Sequence, residues 1–65
     1  MKIFINDREI EIFRGATVLE AIHRYSERAC RMVLNGTLLV IDRFGNLTEA
    51  DGELTEGQKI HLKKK

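Results

Sequence analysis

A chain of 65 residues with one cysteine, Cys30, cannot close an internal disulfide, and it has too few thiolates for a Cys-based zinc site or an iron–sulfur cluster. Chains this short bury only about 60% of the surface their unfolded form exposes, and they usually lean on such staples. What remains to hold this one together is close packing of regular elements. Hydrophobic residues make up 43% of the sequence and charged residues 32%, which is apolar enough for a thin core and too apolar for a disordered segment. A single domain, residues 1–65, is therefore expected, without prolines, repeats or low-complexity stretches to mark a linker.

The charge balance removes several classes of function. Eleven basic residues nearly cancel ten acidic ones, and a net charge of +1 gives no electrostatic footprint for nucleic acid or an anionic membrane. The longest apolar run, Leu38 to Ile41, falls far short of the roughly 20 residues of a membrane span. The N-terminus lacks the apolar stretch of about 7–15 residues that marks a signal peptide. Together with the free cysteine, this makes a cytoplasmic location the expectation.

Apolar residues recur at period two over residues 1–5, with Met1, Ile3 and Ile5 on one face, and again over 9–13, with Ile10 and Ile12 inward and Glu9 and Glu11 in water. Asn6, Asp7 and Arg8 form a turn signal between them, so the pair is expected as a β-hairpin. Thr17 and Glu20 then have capping-box spacing, in which each side chain satisfies a backbone amide at a helix start. Val18, Ala21, Ile22 and Tyr25 fall at i, i+3, i+4 and i+7, which predicts one helix from Thr17 to about Arg28, widened by Leu19, with His23 and Arg24 in solvent. Residues 31–34 are expected as a third strand, Asn35-Gly36 as a tight turn, and 37–41 as a fourth strand. The polar segment 42–52 is expected as a loop tethered by Phe44 and Leu47. Residues 54–57 are expected as a short turn, and 58–62 as the last strand, with Ile60 and Leu62 inward and His61 outward. One amphipathic helix across a mixed sheet of four or five strands is an α+β architecture.

A hairpin opened by Met-Lys-Ile-Phe-Ile, a Gly-Ala-Thr-Val-Leu-Glu helix start, an Asn-Gly turn and the Leu54 to Ile60 segment resemble the small sulfur carriers of thiamine and molybdopterin synthesis (ThiS- and MoaD-like). These are ubiquitin-like β-grasp proteins, and the likeness covers nearly the whole chain. Similar pieces occur in ubiquitin and in the TGS modules of some synthetases and GTPases. The resemblance implies a β-grasp fold, no enzymatic activity, no cofactor, and an E1-like adenylating enzyme or related protein as partner. In the carriers, a Gly-Gly tail is adenylated and converted to a thiocarboxylate, because only glycine lets a bare backbone thread a narrow channel. Here Leu62 is followed only by Lys63, Lys64 and Lys65, so the sulfur-bearing role does not carry over to Lys65. Three explanations stay open: the leading domain of a longer protein, a relative that kept the fold for docking, or a carrier whose tail lies outside these residues. A TGS-like regulatory module of a larger synthetase or GTPase is the alternative.

Few side chains suggest chemistry. His23 and His61 fall on solvent faces with no second ligand at metal spacing, and Cys30, between Arg28 and Arg31, reads as a small packed hydrophobe more readily than as a nucleophile. The run of lysines from Lys63 reads as a solvated chain end. One surface stands out. Ubiquitin-like proteins bind partners through an apolar-plus-basic patch on the outward side of the sheet, and Phe4, Val33, His61 and Lys63 are the expected partner-binding residues here.

Overall fold

The computed structural model describes residues 1–65. Two antiparallel strands open the chain, β1 (Lys2–Ile5) and β2 (Arg8–Glu11), joined by a turn in which Asn6 and Asp7 take positive φ angles of 51° and 67°. Asparagine and aspartate tolerate this left-handed region, and two such residues in succession give a turn whose twist matches the strands. The Asn6 carboxamide oxygen also accepts the Leu62 amide at 2.9 Å, tying the hairpin to the far end of the chain.

The capping box forms as expected. The Thr17 hydroxyl accepts the Glu20 amide at 3.2 Å and the Glu20 carboxylate accepts the Thr17 amide at 3.0 Å, opening α1 (Val18–Tyr25). The helix does not reach Arg28. Ser26 is extended (φ −166°, ψ 120°), and it both ends α1 and starts a second helix, α2 (Glu27–Leu34), where its hydroxyl accepts the Ala29 amide at 3.1 Å.

The expected strand at 31–34 is therefore the last turn of a helix. Ala29, Cys30 and Val33 lie at helical spacing and turn toward the core, with Ala29 and Cys30 buried. Asn35-Gly36 is a helix end, not a hairpin turn. The Thr37 amide donates to the Met32 carbonyl (2.8 Å) and the Gly36 amide to that of Val33 (3.2 Å), with Gly36 at φ 83°. This is a Schellman closure, and it needs a residue that enters the left-handed region without a Cβ clash.

Strand β3 (Leu38–Asp42) follows, and β4 (Lys59–Lys64) completes a four-stranded sheet in the order β2-β1-β4-β3. Strand β4 runs parallel to β1, with Ile60 opposite Ile5, and antiparallel to β3. A mixed four-stranded sheet crossed by two helices is an α+β arrangement with ubiquitin-like β-grasp topology. Lys63 and Lys64 prolong β4 opposite Leu39 and Leu38 rather than forming a loose end.

The core lies between the helices and one side of the sheet. Ile3, Ile5, Ile22 and Ile60 are all 0% exposed, and no polar residue is buried among them. Leu54, expected in a peripheral turn, belongs to this core, and its amide donates to the Ala16 carbonyl at 2.9 Å. Phe44 and Leu47 do not tether their loop, being 73% and 71% exposed. Hydrogen bonds from its main-chain amides hold that loop instead. The Asp42 carboxylate accepts the Phe44 and Asn46 amides, and the Thr48 amide donates to the Val40 carbonyl.

Candidate protein-docking face

Alternate residues of a strand face opposite sides of its sheet. Since Ile3, Ile5, Val40 and Ile60 face the helices, Phe4, Leu39, Ile41, Lys59, His61 and Lys63 lie on the side the helices leave uncovered, with Lys2, Glu9 and Glu11 toward its β2 edge. Register then fixes the neighbours: Ile41 beside His61, Leu39 beside Lys63, and Phe4 beside Lys59. The Lys59 ammonium sits 5.8 Å from the Phe4 ring centroid, within cation–π range. An isolated bridge sets Leu47 opposite Ile41, which extends the apolar strip with a largely exposed side chain.

Lys2 and Glu9 pair on the β1–β2 part of this face, and the lysines of β4 are free. The ion pairs of the molecule are Met1–Glu11, Lys2–Glu9 and Arg14–Glu56, and none uses Lys59 or Lys63. An apolar strip with uncommitted cations suits a partner that offers a hydrophobic contact rimmed by carboxylates.

Of the four expected docking residues, the structure brings together Phe4, His61 and Lys63. Val33 lies elsewhere, half-buried on α2 and packed against the core from the helix side. Its expected position depended on a strand at 31–34 that does not exist. Leu39, Ile41 and Leu47 occupy the place assigned to it. The signal for two of them was the continuous apolar run Leu38 to Ile41, because a strand so composed must turn two of those side chains away from the core.

The remaining candidates carry no shared chemistry. His23 stands on α1, away from His61, and no three His, Cys, Asp or Glu side chains gather where a metal ion could sit. Cys30 is 6% exposed inside the core cluster. A groove of about 790 Å³ opens between the end of β2 and α1, with Ile12, Phe13 and Leu19 among its walls. At its mouth, the hydrogen bond from the Met1 ammonium at 2.9 Å, reinforced by its charge, holds the Glu11 carboxyl below the usual carboxylate range. No helix is long and apolar enough to cross a membrane.

No family model matches the chain, and neither a curated protein nor a solved structure matches it. Strand order and register alone carry the likeness to β-grasp domains, and no relative ties the chain to the sulfur carriers in particular.

Proposed function

We propose that this chain is a protein-interaction domain that docks through the uncovered face of its sheet, with Ile41, His61 and Phe4 at the centre and Lys59 and Lys63 at the rim. The observation that carries the reading is the register of β3 on β4. It sets Ile41 directly beside His61, with Leu47 across from Ile41 and both lysines unpaired. Apolar side chains held by a rigid sheet lose little entropy on binding, and free cations select the partner.

The finer part of the proposal is the partner. The resemblance to the sulfur carriers favours an E1-like adenylating enzyme or a related protein in or near sulfur transfer for thiamine or molybdopterin synthesis, with this domain contributing contact and no chemistry of its own. The test is calorimetric titration of a purified E1-like adenylating enzyme, alongside affinity capture and mass spectrometry with the domain as bait. Ile41→Glu and His61→Glu should each weaken binding about tenfold or more, as central interface residues do. Unchanged affinity in both variants would remove the face from consideration. Failure of the wild-type domain to bind the adenylating enzyme would remove that partner.

A further inference from the structure

The two edges of the sheet differ. At the Val40–Asp42 end of β3, outward-pointing main-chain groups are used by the chain itself: the Val40 carbonyl accepts the Thr48 amide at 2.9 Å, and the Asp42 amide donates to the Asn46 carbonyl at 2.8 Å. Along β2 they are not. In an antiparallel pair, hydrogen-bonded and non-bonded residue pairs alternate. The Met1–Ile12 pair exchanges bonds of 2.8 and 2.9 Å, so Ile10 and Arg8 bond to β1 while the amides and carbonyls of Glu9 and Glu11 point to the open side. An edge of this kind is a template for another strand.

The open edge runs into the groove beside α1. Ile12, Phe13 and Leu19 give that groove apolar walls, and Phe13 is 59% exposed. Its charges are unequal in availability. Glu11 is paired with the Met1 ammonium and Glu20 is engaged at the helix cap, whereas Arg24 has no ion-pair partner. Arg24 is thus a cation of the groove that no ion pair occupies.

We propose that the β2 edge and this groove bind an extended peptide from another protein by strand addition. Its main chain pairs with Glu9 and Glu11, alternate apolar side chains enter the groove, and an acidic residue meets Arg24. The intervening side chains lie on the sheet side beside Glu9 and Glu11, where lysine or threonine fits. Main-chain bonds supply affinity in this mode, and the alternating side chains supply selectivity. A second copy of this chain is a poorer occupant, because pairing β2 with itself sets these glutamates against the same carboxylates. The Glu9 and Glu11 side chains share the sheet side with Phe4, but this mode uses the edge main chain and the groove, and β1 separates β2 from the Ile41, His61 and Lys63 centre of the preceding proposal, so Ile41→Glu should leave peptide binding unchanged and the two can be tested apart.

The probe is the acetylated, amidated peptide Lys-Val-Lys-Ile-Thr-Val-Thr-Asp, titrated into the intact isotope-labelled chain and followed by amide chemical shifts and hydrogen exchange. Saturable shifts at Glu9, Glu11, Phe13 and Leu19, with slowed exchange of the Glu9 and Glu11 amides, are expected. A peptide N-methylated at alternate residues should not bind, since it keeps the side chains and loses the strand bonds. Glu11→Pro should abolish binding while leaving the fold intact by circular dichroism, because the amide it removes makes no internal bond. Glu11→Gln should bind normally, and Arg24→Glu should weaken binding about fivefold. The proposal is overturned by absence of saturation at millimolar peptide, by equal binding of the N-methylated peptide, or by a concentration-dependent dimer that protects the same two amides.

Discussion

The two sides of the sheet are made from the same strands and differ in almost everything else. On the helix side, Ile3, Ile5 and Ile60 are wholly shielded and meet Ile22 and Val18 of α1 in a core without a polar side chain. On the other, Phe4, Ile41 and His61 keep part of their surface exposed, and Lys59 and Lys63 have no ion-pair partners. A chain with so little interior has to concentrate its stability on one side, which leaves the other free to vary with a partner. Substitutions that respect this division should change stability or binding, and seldom both.

The largest effect is expected at the shielded centre. Ile60→Ala should cost about 2–5 kcal/mol by removing packed methyl groups and leaving a cavity. In a domain of this size, that threatens folding outright, and thermal unfolding by circular dichroism would show it. A cost below about 1 kcal/mol at this position would mean that the two sides are not so unequal.

Next comes the break between the helices. Ser26→Ala removes the hydroxyl that accepts the Ala29 amide and should cost about 1 kcal/mol, read from urea midpoints at unchanged slope. Ser26 also shows where the sequence stops being readable. Thr17 and Glu20 announce a helix start through contacts three residues apart, and Ile3, Ile5, Ile22 and Ile60 announce the core through simple periodicity. Ser26 has no such flag. The apolar stripe ending at Tyr25 could be extended by another turn, and only the tertiary fit of Ala29 and Cys30 decides for a second helix. Asn35-Gly36 is ambiguous for a physical reason: the same left-handed glycine serves a hairpin turn and a helix end, and what precedes it chooses. Taken as a hairpin turn it sets Val33 on a strand, whereas Val33 lies on α2; the apolar run Leu38 to Ile41 signals that two of its side chains face outward, and the register on β4 decides that they are Leu39 and Ile41. Phe4, His61 and Lys63 were legible because their strands alternate clearly.

On the open side the effects on stability should be small. Leu47→Ser should change stability by no more than about 0.5 kcal/mol, since the side chain is already 71% exposed, while weakening partner binding. A large loss of stability here would blur the distinction between the faces.

The smallest effect is expected from acid. The folded-state pKa of Glu11 is lowered by the Met1 ammonium, so its carboxylate stabilises the fold above the ordinary carboxylate pKa, and that contribution fades as pH falls through the lowered folded value. Because Glu11 is exposed, Glu11→Gln should only slightly flatten the loss of stability on acidification, measured as melting temperature from neutral to acidic pH.

Cross-strand proton contacts measured by nuclear Overhauser effects in the labelled domain test the two-sided sheet most directly. Contacts between Ile41 and His61, and between Ile5 and Ile60, are predicted, with none from the Ile41 side chain to Ile22 or Cys30. A slip of β3 against β4 by one residue would reverse one strand's facing relative to the other. Contacts that place Ile41 beside Ile60 or Leu62, with its side chain against the helices, would contradict the account.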